Sequence, residues 1–337
     1  MKSSFTLLLL AGSLFYSGCA QPNLVKQSRP ALGAIVEIQV ADQDKSRQEI
    51  DSAISQAFAE INRVEDLFSK FKPESEISRI NAQAALRPVK VSPETFGLIE
   101  QALYFSRLSQ GAFDITVGPL TRLWGFNAGP GQQRPSAEEL SNVLAQVGYQ
   151  NIKLNKEDQS IFFTRPGMSL DLGGIAAGYA VDRAAAVLKR AGVRQALINA
   201  GGDIYVLGSR RPNQSWQAAI QHPGKADVML GVLELTNRAV ATSGDYRKYI
   251  ELDGRRYSHI INPLSGYPCE YLPASVTILA DDCLSADALS TAVFVLGRQK
   301  GLELVRRLPG VEVVTADFKN EKLNIFTSDR RIFKEEK

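Results

Sequence analysis

Two stretches near the start of the chain show the two periods that distinguish strands from helices. From Ala34 to Val40 apolar and polar residues alternate, which predicts a half-buried β-strand. From Lys45 to Phe68 the apolar residues recur every three or four positions, which predicts a long amphipathic α-helix. The chain therefore combines both kinds of element.

Capping residues predict three further helices. Residues 92–109 begin with Ser-Pro-Glu, a typical helix start in which the serine caps and the proline occupies the first turn. Residues 136–139 read Ser-Ala-Glu-Glu, which is a capping box. Residues 285–297 form a mostly apolar segment, with Ser285 expected as the N-cap and Gly297 as the stop.

The remaining apolar runs are short and are separated by turn residues. Residues 152–163 predict a hairpin, and a short apolar strand is expected to end at Asp171. Strands that feed mostly into hairpins, together with a few long helices, favour an α+β fold over a doubly wound parallel sheet. No strand is followed by GxGxxG, and GxxxxGK[ST] does not occur, so neither dinucleotide-binding motif is indicated. Further short strands are expected at residues 195–199, 204–207, 216–220, 231–235 and 239–242.

The start of the chain is typical of an exported protein. Residues 1–18 carry one positive charge, a short apolar stretch and then small residues, which predicts a secretory signal too short to span a bilayer. The run Tyr-Ser-Gly-Cys that ends at Cys19 resembles a bacterial lipobox, in which the cysteine is lipidated. An ordinary cleaved signal with a chance cysteine is the alternative. The polar residues 19–29 are expected to be a tether.

Charge and metal-binding residue types exclude several function classes. The net charge of +3 is small, and no basic run indicates nucleic acid as a partner. Two histidines and three cysteines make a zinc site of the Cys/His type unfavourable, so a metal would be a hard cation held by oxygen. Cys269 and Cys283 either form a disulfide or remain free buried thiols.

Two glycine-rich turns suggest close approach of the backbone to a ligand. Residues 171–182 read D-L-G-G-I-A-A-G-Y-A-V-D, in which paired glycines precede a helix start. Backbone N–H groups at a helix start can bind an anion, although such a turn can also be purely structural. Residues 199–203, N-A-G-G-D, form a second turn of this kind about 30 residues later.

Oxygen and imidazole groups near the C-terminus are the other candidates for chemistry. Asp287 and Thr291 are spaced i and i+4 on a predicted helix, so both oxygens lie on one face. A hard divalent cation would compensate the buried carboxylate, and a structural hydrogen-bond network would do so equally well. His259 lies in a short β run among turn residues and is either catalytic or structural.

Together these segments resemble the ApbE family, the FAD:protein FMN transferases. The resemblance covers residues 29–330 and rests on several motifs in family order. These are F-K-P-E-S-E-I-S-R-I-N (71–81), G-A-F-D-I-T-V-G-P-L (111–120), the two glycine turns, A-T-S-G-D-Y (241–246), H-I-I-N-P-L-S-G-Y-P (259–268) and A-D-A-L-S-T-A (286–292).

The resemblance implies a fold, a location and an activity. The fold would be a T-fold-related α+β domain over residues 30–330, with antiparallel sheets packed with long helices and one body or two closely packed subdomains. The enzyme would lie on the periplasmic side of a bacterial membrane. It would use Mg2+ to transfer FMN from FAD to a Thr or Ser in D-x-x-[ST]-G-[AS]-T sequences of membrane redox subunits, releasing AMP.

The resemblance also assigns residues. Asp287, Thr291 and the carbonyl of Gly174 would bind the metal, and His259 would be the base. Phe71 stands where many relatives carry Tyr, and Ala177 stands where Lys is common. The positions expected to contact the flavin nucleotide are Leu32, Phe71, Ala112, Phe113, Asp114, Asp171, Ala177, Thr242, Ser243 and Ile260.

Two other functions stay open on the sequence alone. Water in place of the acceptor hydroxyl would make the protein an FAD pyrophosphatase that gives FMN and AMP. A lipoprotein that binds flavin without catalysis is the alternative from a different class.

Overall fold

The fold is known from a computed structural model that describes residues 24–126, 134–225, 227–244, 249–252, 255–269, 274–319, 322–329 and 333–335. The helices, in chain order, are α1 (Arg47–Phe68), α2 (Glu76–Gln83), α3 (Pro93–Leu108), α4 (Gly118–Trp124), α5 (Ala137–Leu144), α6 (Ala176–Arg190) and α7 (Cys283–Val305). The strands are β1 (Val25–Ala31), β2 (Ala34–Val40), β3 (Val89–Lys90), β4 (Ile152–Asn155), β5 (Ser160–Phe163), β6 (Ala196–Ala200), β7 (Asp203–Leu207), β8 (Trp216–Gln221), β9 (Met229–Leu235), β10 (Ala239–Gly244), β11 (Tyr249–Leu252), β12 (Arg255–Ser258), β13 (Ser275–Ala280), β14 (Glu312–Lys319), β15 (Lys322–Thr327) and β16 (Phe333–Glu335).

An eight-stranded antiparallel sheet forms the centre of the molecule. Its strand order is β1-β2-β6-β7-β10-β13-β14-β15. Because alternate residues of a strand point to opposite faces, β10 sends Ala241 to one side and Val240 to the other. Helices α1, α6 and α7 cover the first face, and the sheet β16-β9-β8 covers the second. The predicted α+β class with antiparallel sheets and long helices is confirmed.

Helix α7 is fixed at its start by two acidic side chains. Asp282 is its N-cap and accepts the N–H of Ser285 at 2.7 Å. Asp182 of α6 accepts the N–H groups of Cys283 at 2.8 Å and Leu284 at 2.9 Å. The first turn of α7 is therefore capped from its own chain and from the neighbouring helix.

Helices α6 and α7 approach closely at Gly178. A Cβ at this position would lie 2.3 Å from the carbonyl oxygen of Cys283 and 2.9 Å from the Cβ of Asp287. Only glycine permits this contact. Further along α7, Gly297 has φ 75° and ψ 170°, which interrupts the helix before it continues to Val305.

Smaller elements pack beside this core. The sheet β3-β5-β4 adjoins α2 and α3, and a separate apolar cluster joins α4 and α5 to β11 and β12. In that cluster the indole of Trp124 lies 5.4 Å from the ring of Tyr257 and donates to the carbonyl of Gly266 at 2.8 Å.

Most predicted elements are confirmed within a few residues, and three expectations are wrong. Residues 169–171 are not part of a strand; the side chain of Asn81 holds Leu170 through two hydrogen bonds of 2.6 and 3.0 Å. Ser285 is not the N-cap, because α7 begins two residues earlier. Residues 25–29 of the expected tether lie in β1. This edge strand is mostly polar, so its sequence does not indicate that its backbone pairs with β2.

The structure decides between a disulfide and two free thiols for the second and third cysteines of the chain. Cys269 and Cys283 are free, and burial raises the pKa of the Cys269 thiol to about 12. Among the described residues, no helix has both the length and the apolar character of a membrane span. The signal sequence and Cys19 lie outside the described residues.

The contact at Gly178 predicts a stability difference between two glycines. Gly178→Ala should lower the free energy of unfolding by roughly 1–3 kcal/mol, since the new methyl group meets backbone atoms that side-chain motion cannot relieve. Gly97→Ala in α3 is the matched control: nothing lies within 4 Å of its Cβ position, so a gain of roughly 0.5–1 kcal/mol is expected. Urea unfolding measures both, and equal effects would contradict the close approach.

Candidate functional site

The turn before α6 holds Asp171 in a network of hydrogen bonds. One carboxylate oxygen accepts the N–H of Gly173 at 3.0 Å. The other accepts the ammonium of Lys70 at 2.5 Å and the hydroxyl of Thr121 at 3.0 Å. Asp171 is thereby paired with a cation from the segment after α1, 101 residues earlier.

A cavity of about 550 Å3 opens beside this network. Lys70, Thr121 and Arg122 line it, and Phe71 stands at its side with 68% of the residue exposed. The ammonium of Lys70 lies 5.2 Å from the centre of the Phe71 ring. An exposed aromatic ring near two cations suits a ligand that is planar and anionic.

The three predicted metal ligands meet at the contact between α6 and α7. A Cβ on Gly174 would lie 3.0 Å from the hydroxyl oxygen of Thr291, so the backbone of this turn lies against that side chain. Asp287, one helical turn before Thr291, accepts the N–H of Gly178 at 3.1 Å. The structure thus brings together a carboxylate, a hydroxyl and a backbone segment from separate parts of the chain.

The charge around Asp287 is the most unusual feature of this group. The residue is only 6% exposed, and burial raises its pKa well above the ordinary value. The carboxylates of Asp203 and Asp182 raise the pKa further, and the N–H of Gly178 opposes them. Within the described residues, His, Cys, Asp and Glu do not form a group of three that could hold a metal. One carboxylate with neutral oxygen donors fits a hard divalent cation, which would also compensate this buried negative charge.

Ser243 and Thr242 point to opposite faces of β10. The hydroxyl of Ser243 lies 2.8 Å from that of Ser290 in α7, and Ser290 donates to the carbonyl of Asp287 at 2.9 Å. Thr242 instead pairs with Thr277 at 2.9 Å. The structure therefore joins Ser243, but not Thr242, to the helix that carries Asp287.

The predicted nucleotide contacts at residues 112–114 are buried. Asp114 accepts hydrogen bonds from Thr116 at 2.7 and 2.8 Å and from the N–H of Tyr149 at 2.8 Å. Burial raises its pKa. Ala112 is buried, and the Phe113 ring lies 3.4 Å from the Cβ position of Gly174, so this segment packs against the glycine turn.

The other predicted site residues come from three separate parts of the chain. Leu32 occupies the β1–β2 turn with φ 55°, and its N–H donates to Glu65 at 2.9 Å. His259 is half-buried and directly follows β12, and Ile260 is buried beside it. Ala177 lies in the first turn of α6 and is half-buried.

Sequence reasoning missed several residues of this site. Lys70 and Arg122 supply the charge of the cavity, and no periodic pattern marks them. Asp182 did carry a signal, since it lies one turn after Gly178 in the glycine-rich motif. Its role as a cap depends on the packing of α7 against α6, which the spacing of the motif does not specify.

Comparison with known proteins gives a consistent result. A model of the ApbE family matches residues 32–315. An FAD:protein FMN transferase of Vibrio cholerae (strain O395) is 34% identical over 324 residues, which cover 92% of this chain and 94% of that protein. The Escherichia coli K12 protein of the same name is 33% identical, with 91% of each chain covered. The apo crystal structure of the Pseudomonas stutzeri flavinyl transferase ApbE superposes with a TM-score of 0.81 at 32% identity, covering 92% of this chain and 96% of that one.

The half-buried Asp182 predicts a pH-dependent stability difference. Burial raises its pKa to about 6 from 3.8, so the folded protein binds this proton more readily than the unfolded chain between these values. The charge of Asp182 should therefore lower stability progressively as pH rises from about 4 to 6, by roughly 2–3 kcal/mol in total, and the cost stays constant above that window.

Asp182→Asn removes the titration. Relative to the native chain, the variant should gain stability as pH rises from 4 to 7, on top of a constant loss from the weakened cap of α7. Urea unfolding at several pH values measures the difference. A difference that does not change with pH would contradict the raised pKa.

Proposed function

The chain belongs to the ApbE family of FAD:protein FMN transferases, and we propose that its site transfers FMN from FAD to a Thr or Ser hydroxyl of a partner protein, forming a phosphoester and releasing AMP. The observation that best supports this proposal is the set of contacts made by residues 171–178. On one side it pairs Asp171 with the cationic cavity, and on the other it places Gly174 against Thr291 and Gly178 against Asp287. A planar anionic group could therefore bind beside Asp171 while a phosphate binds near Gly174 and Gly178.

The proposed binding of FAD uses the cavity and the start of α6. Phe71 offers its exposed ring to a flat aromatic system, and Lys70 and Arg122 supply positive charge. The N-terminus of α6 follows the same turn and adds the positive end of a helix dipole near the phosphates. With Ala177 in place of a lysine, these groups would supply the attraction that a cationic side chain supplies elsewhere in the family.

The proposed metal is Mg2+, held by the carboxylate of Asp287, the hydroxyl of Thr291 and the carbonyl of Gly174. When bound, it neutralises charge on the phosphoryl oxygens. Ser243 and Ser290 hold the backbone of Asp287 in place through their linked hydroxyls. The N–H of Gly178 fixes one oxygen of the same carboxylate.

The proposed transfer is a substitution at the phosphorus atom of the FMN half. The acceptor hydroxyl oxygen forms the new P–O bond, and the bond to the phosphate of AMP breaks. His259 takes the proton of the hydroxyl as the bond forms, a role suited to imidazole near neutral pH. AMP leaves with the second phosphate, so the reaction needs no oxidant or reductant.

The proposed location is the periplasmic side of a bacterial membrane, with a lipid on Cys19. The signal-like residues 1–18 and the lipobox-like run support this part of the proposal. Acceptors would be membrane redox subunits that carry the D-x-x-[ST]-G-[AS]-T sequence. A mass measurement on protein extracted from membranes tests the anchor: the mature chain should begin at a lipidated Cys19, and an unmodified start elsewhere would contradict it.

Transfer is tested by incubating the protein with FAD, Mg2+ and an acceptor domain carrying the sequence motif. A fluorescent acceptor band on a denaturing gel is expected, and an acceptor with its target Thr changed to Val should stay dark. Asp287→Asn should reduce transfer roughly 100-fold or more, because it removes the negative charge that binds the metal. Its oxygen can still accept from Gly178, so the fold should be kept.

The outcomes of this assay are distinct. FMN and AMP that accumulate without a labelled acceptor would make water the acceptor and the protein a pyrophosphatase. FAD that stays intact would make it a flavin-binding protein. Undiminished transfer by the Asp287→Asn variant at limiting Mg2+ would contradict the ligand assignment while leaving the transferase activity in place.

His259 is tested against the second histidine of the chain. His259→Ala should slow transfer by roughly 100- to 10,000-fold while FAD binding stays near native, because a base acts on the acceptor proton and not on the bound nucleotide. His222→Ala is the control, since His222 lies in the β8–β9 turn against Phe318. Loss of FAD binding in the His259 variant would make this histidine a structural residue.

A further inference from the structure

The loops at one end of the eight-stranded sheet gather arginines from several parts of the chain. By strand register, Val25, Val40, Leu207 and Ala280 lie at the same end, which we call the basal end. The loops at this end define the basal surface: residues 41–46, 190–195, 208–211, 236–238, 281–282 and 306–312. At the opposite end of the sheet, residues 32–33 and 201–202 form uncharged turns, whereas Lys319 and Lys322 flank the turn between β14 and β15.

Contacts between its loops make the basal surface one continuous face. The N–H of Arg194 donates to Asp42 at 2.8 Å, and the N–H of Gly208 donates to Asn237 at 2.7 Å. The carbonyl oxygen of Arg194 would lie only 2.2 Å from a Cβ on Gly208, so these two loops touch. Arg238 continues the surface by donating to the carbonyl of Gly310 at 2.8 Å.

The carboxylates of this surface are used within it. Asp44 pairs with Arg194, and Glu312 pairs with Arg238. Asp282 caps α7. Asp42 is buried, and the exposed Asp281 lies 3.8 Å from Arg238. With these five acids against eight Lys and Arg side chains, the basal surface keeps a net charge of +3.

The remaining arginines of the basal surface are mostly exposed to solvent. Within the described part of the chain they form no ion pair, and four of the five are exposed. These arginines are Arg190, Arg210, Arg211, Arg306 and Arg307. Because they come from three separate loops, the fold gathers them where the sequence shows no basic run.

The start of the described chain lies at this same end. Val25 pairs with Val40, and Leu24 before it is 39% exposed. Cys19 precedes Leu24 by five residues, a span of at most about 18 Å when fully extended. A lipid on Cys19 would therefore hold the basal surface close to the headgroups of a bilayer.

We propose that the basal surface binds the anionic phospholipid headgroups of the membrane and so directs the opposite end of the sheet away from it. Lys and Arg side chains near an anionic bilayer are each attracted to it, and the attraction falls off within a Debye length of about 8–10 Å at physiological salt. The geometry uses the proposed lipid anchor, but the surface itself should bind vesicles without it.

The test uses the chain from Ala20 onward, which contains every described residue and no lipid. Sedimentation with phosphatidylglycerol vesicles should show binding that weakens as salt is raised, whereas phosphatidylcholine vesicles should bind little. Changing Arg190, Arg211, Arg306 and Arg307 together to Gln should weaken binding to the anionic vesicles about tenfold or more. FMN transfer to a soluble acceptor should stay at the native rate.

The matched control removes four exposed positive charges elsewhere. Arg87, Lys90, Lys153 and Arg165 lie on the small sheet β3-β5-β4 or beside it and belong to none of the basal loops, and their change to Gln should leave vesicle binding near native. An equal loss in both variants, or no loss in the arginine variant, would overturn the proposal. Absence of FMN transfer in the native chain would count against the proposed function alone, since vesicle binding is measured separately.

Discussion

The close contact between α6 and α7 at Gly178 determines the geometry of the candidate site. Without a side chain there, the N–H of Gly178 reaches the Asp287 carboxylate, and one turn earlier Gly174 meets Thr291. The same contact places the buried Asp287 near two other acids, since the charges of Asp182 and Asp203 act on it. Because an uncompensated buried charge is costly, this arrangement favours either a bound proton or a bound cation. A fold that keeps such a group has a physical reason to bind a metal.

The turn 171–178 joins this oxygen-rich contact to the cavity. Asp171 faces Lys70 and Thr121 at the cavity, whereas Gly174 faces α7. A turn of eight residues thus connects a place for an aromatic anion with a place for a hard cation. In the proposed transfer, the phosphate that is attacked would lie between these two places.

The fold was largely predictable where the hydrophobic pattern of a segment agrees with the burial of its side chains in the structure. The amphipathic α1, the capped α3 and α5 and the short strands from 195 to 242 all appear, since periodicity and caps are local properties. Strand β1 was missed because its polar residues pair through the backbone at a sheet edge. Its neighbour β2 was found because its alternating side chains face the core.

The site was less predictable, because its partners are distant in sequence. Motif order identified Asp287, Thr291 and Gly174 as a set, and the structure brings them together. The Lys70–Asp171 pair and the cap that Asp182 provides both join residues about 100 positions apart, and no spacing rule marks them. The same limit applies to the basal arginines, which become a surface only when the sheet aligns their loops. The strands between that surface and the turn at Leu32 are about seven residues long, or roughly 20 Å. A short tether at the basal end would leave the turn at Leu32 facing away from the bilayer while raising the effective concentration of the enzyme toward membrane-bound acceptors.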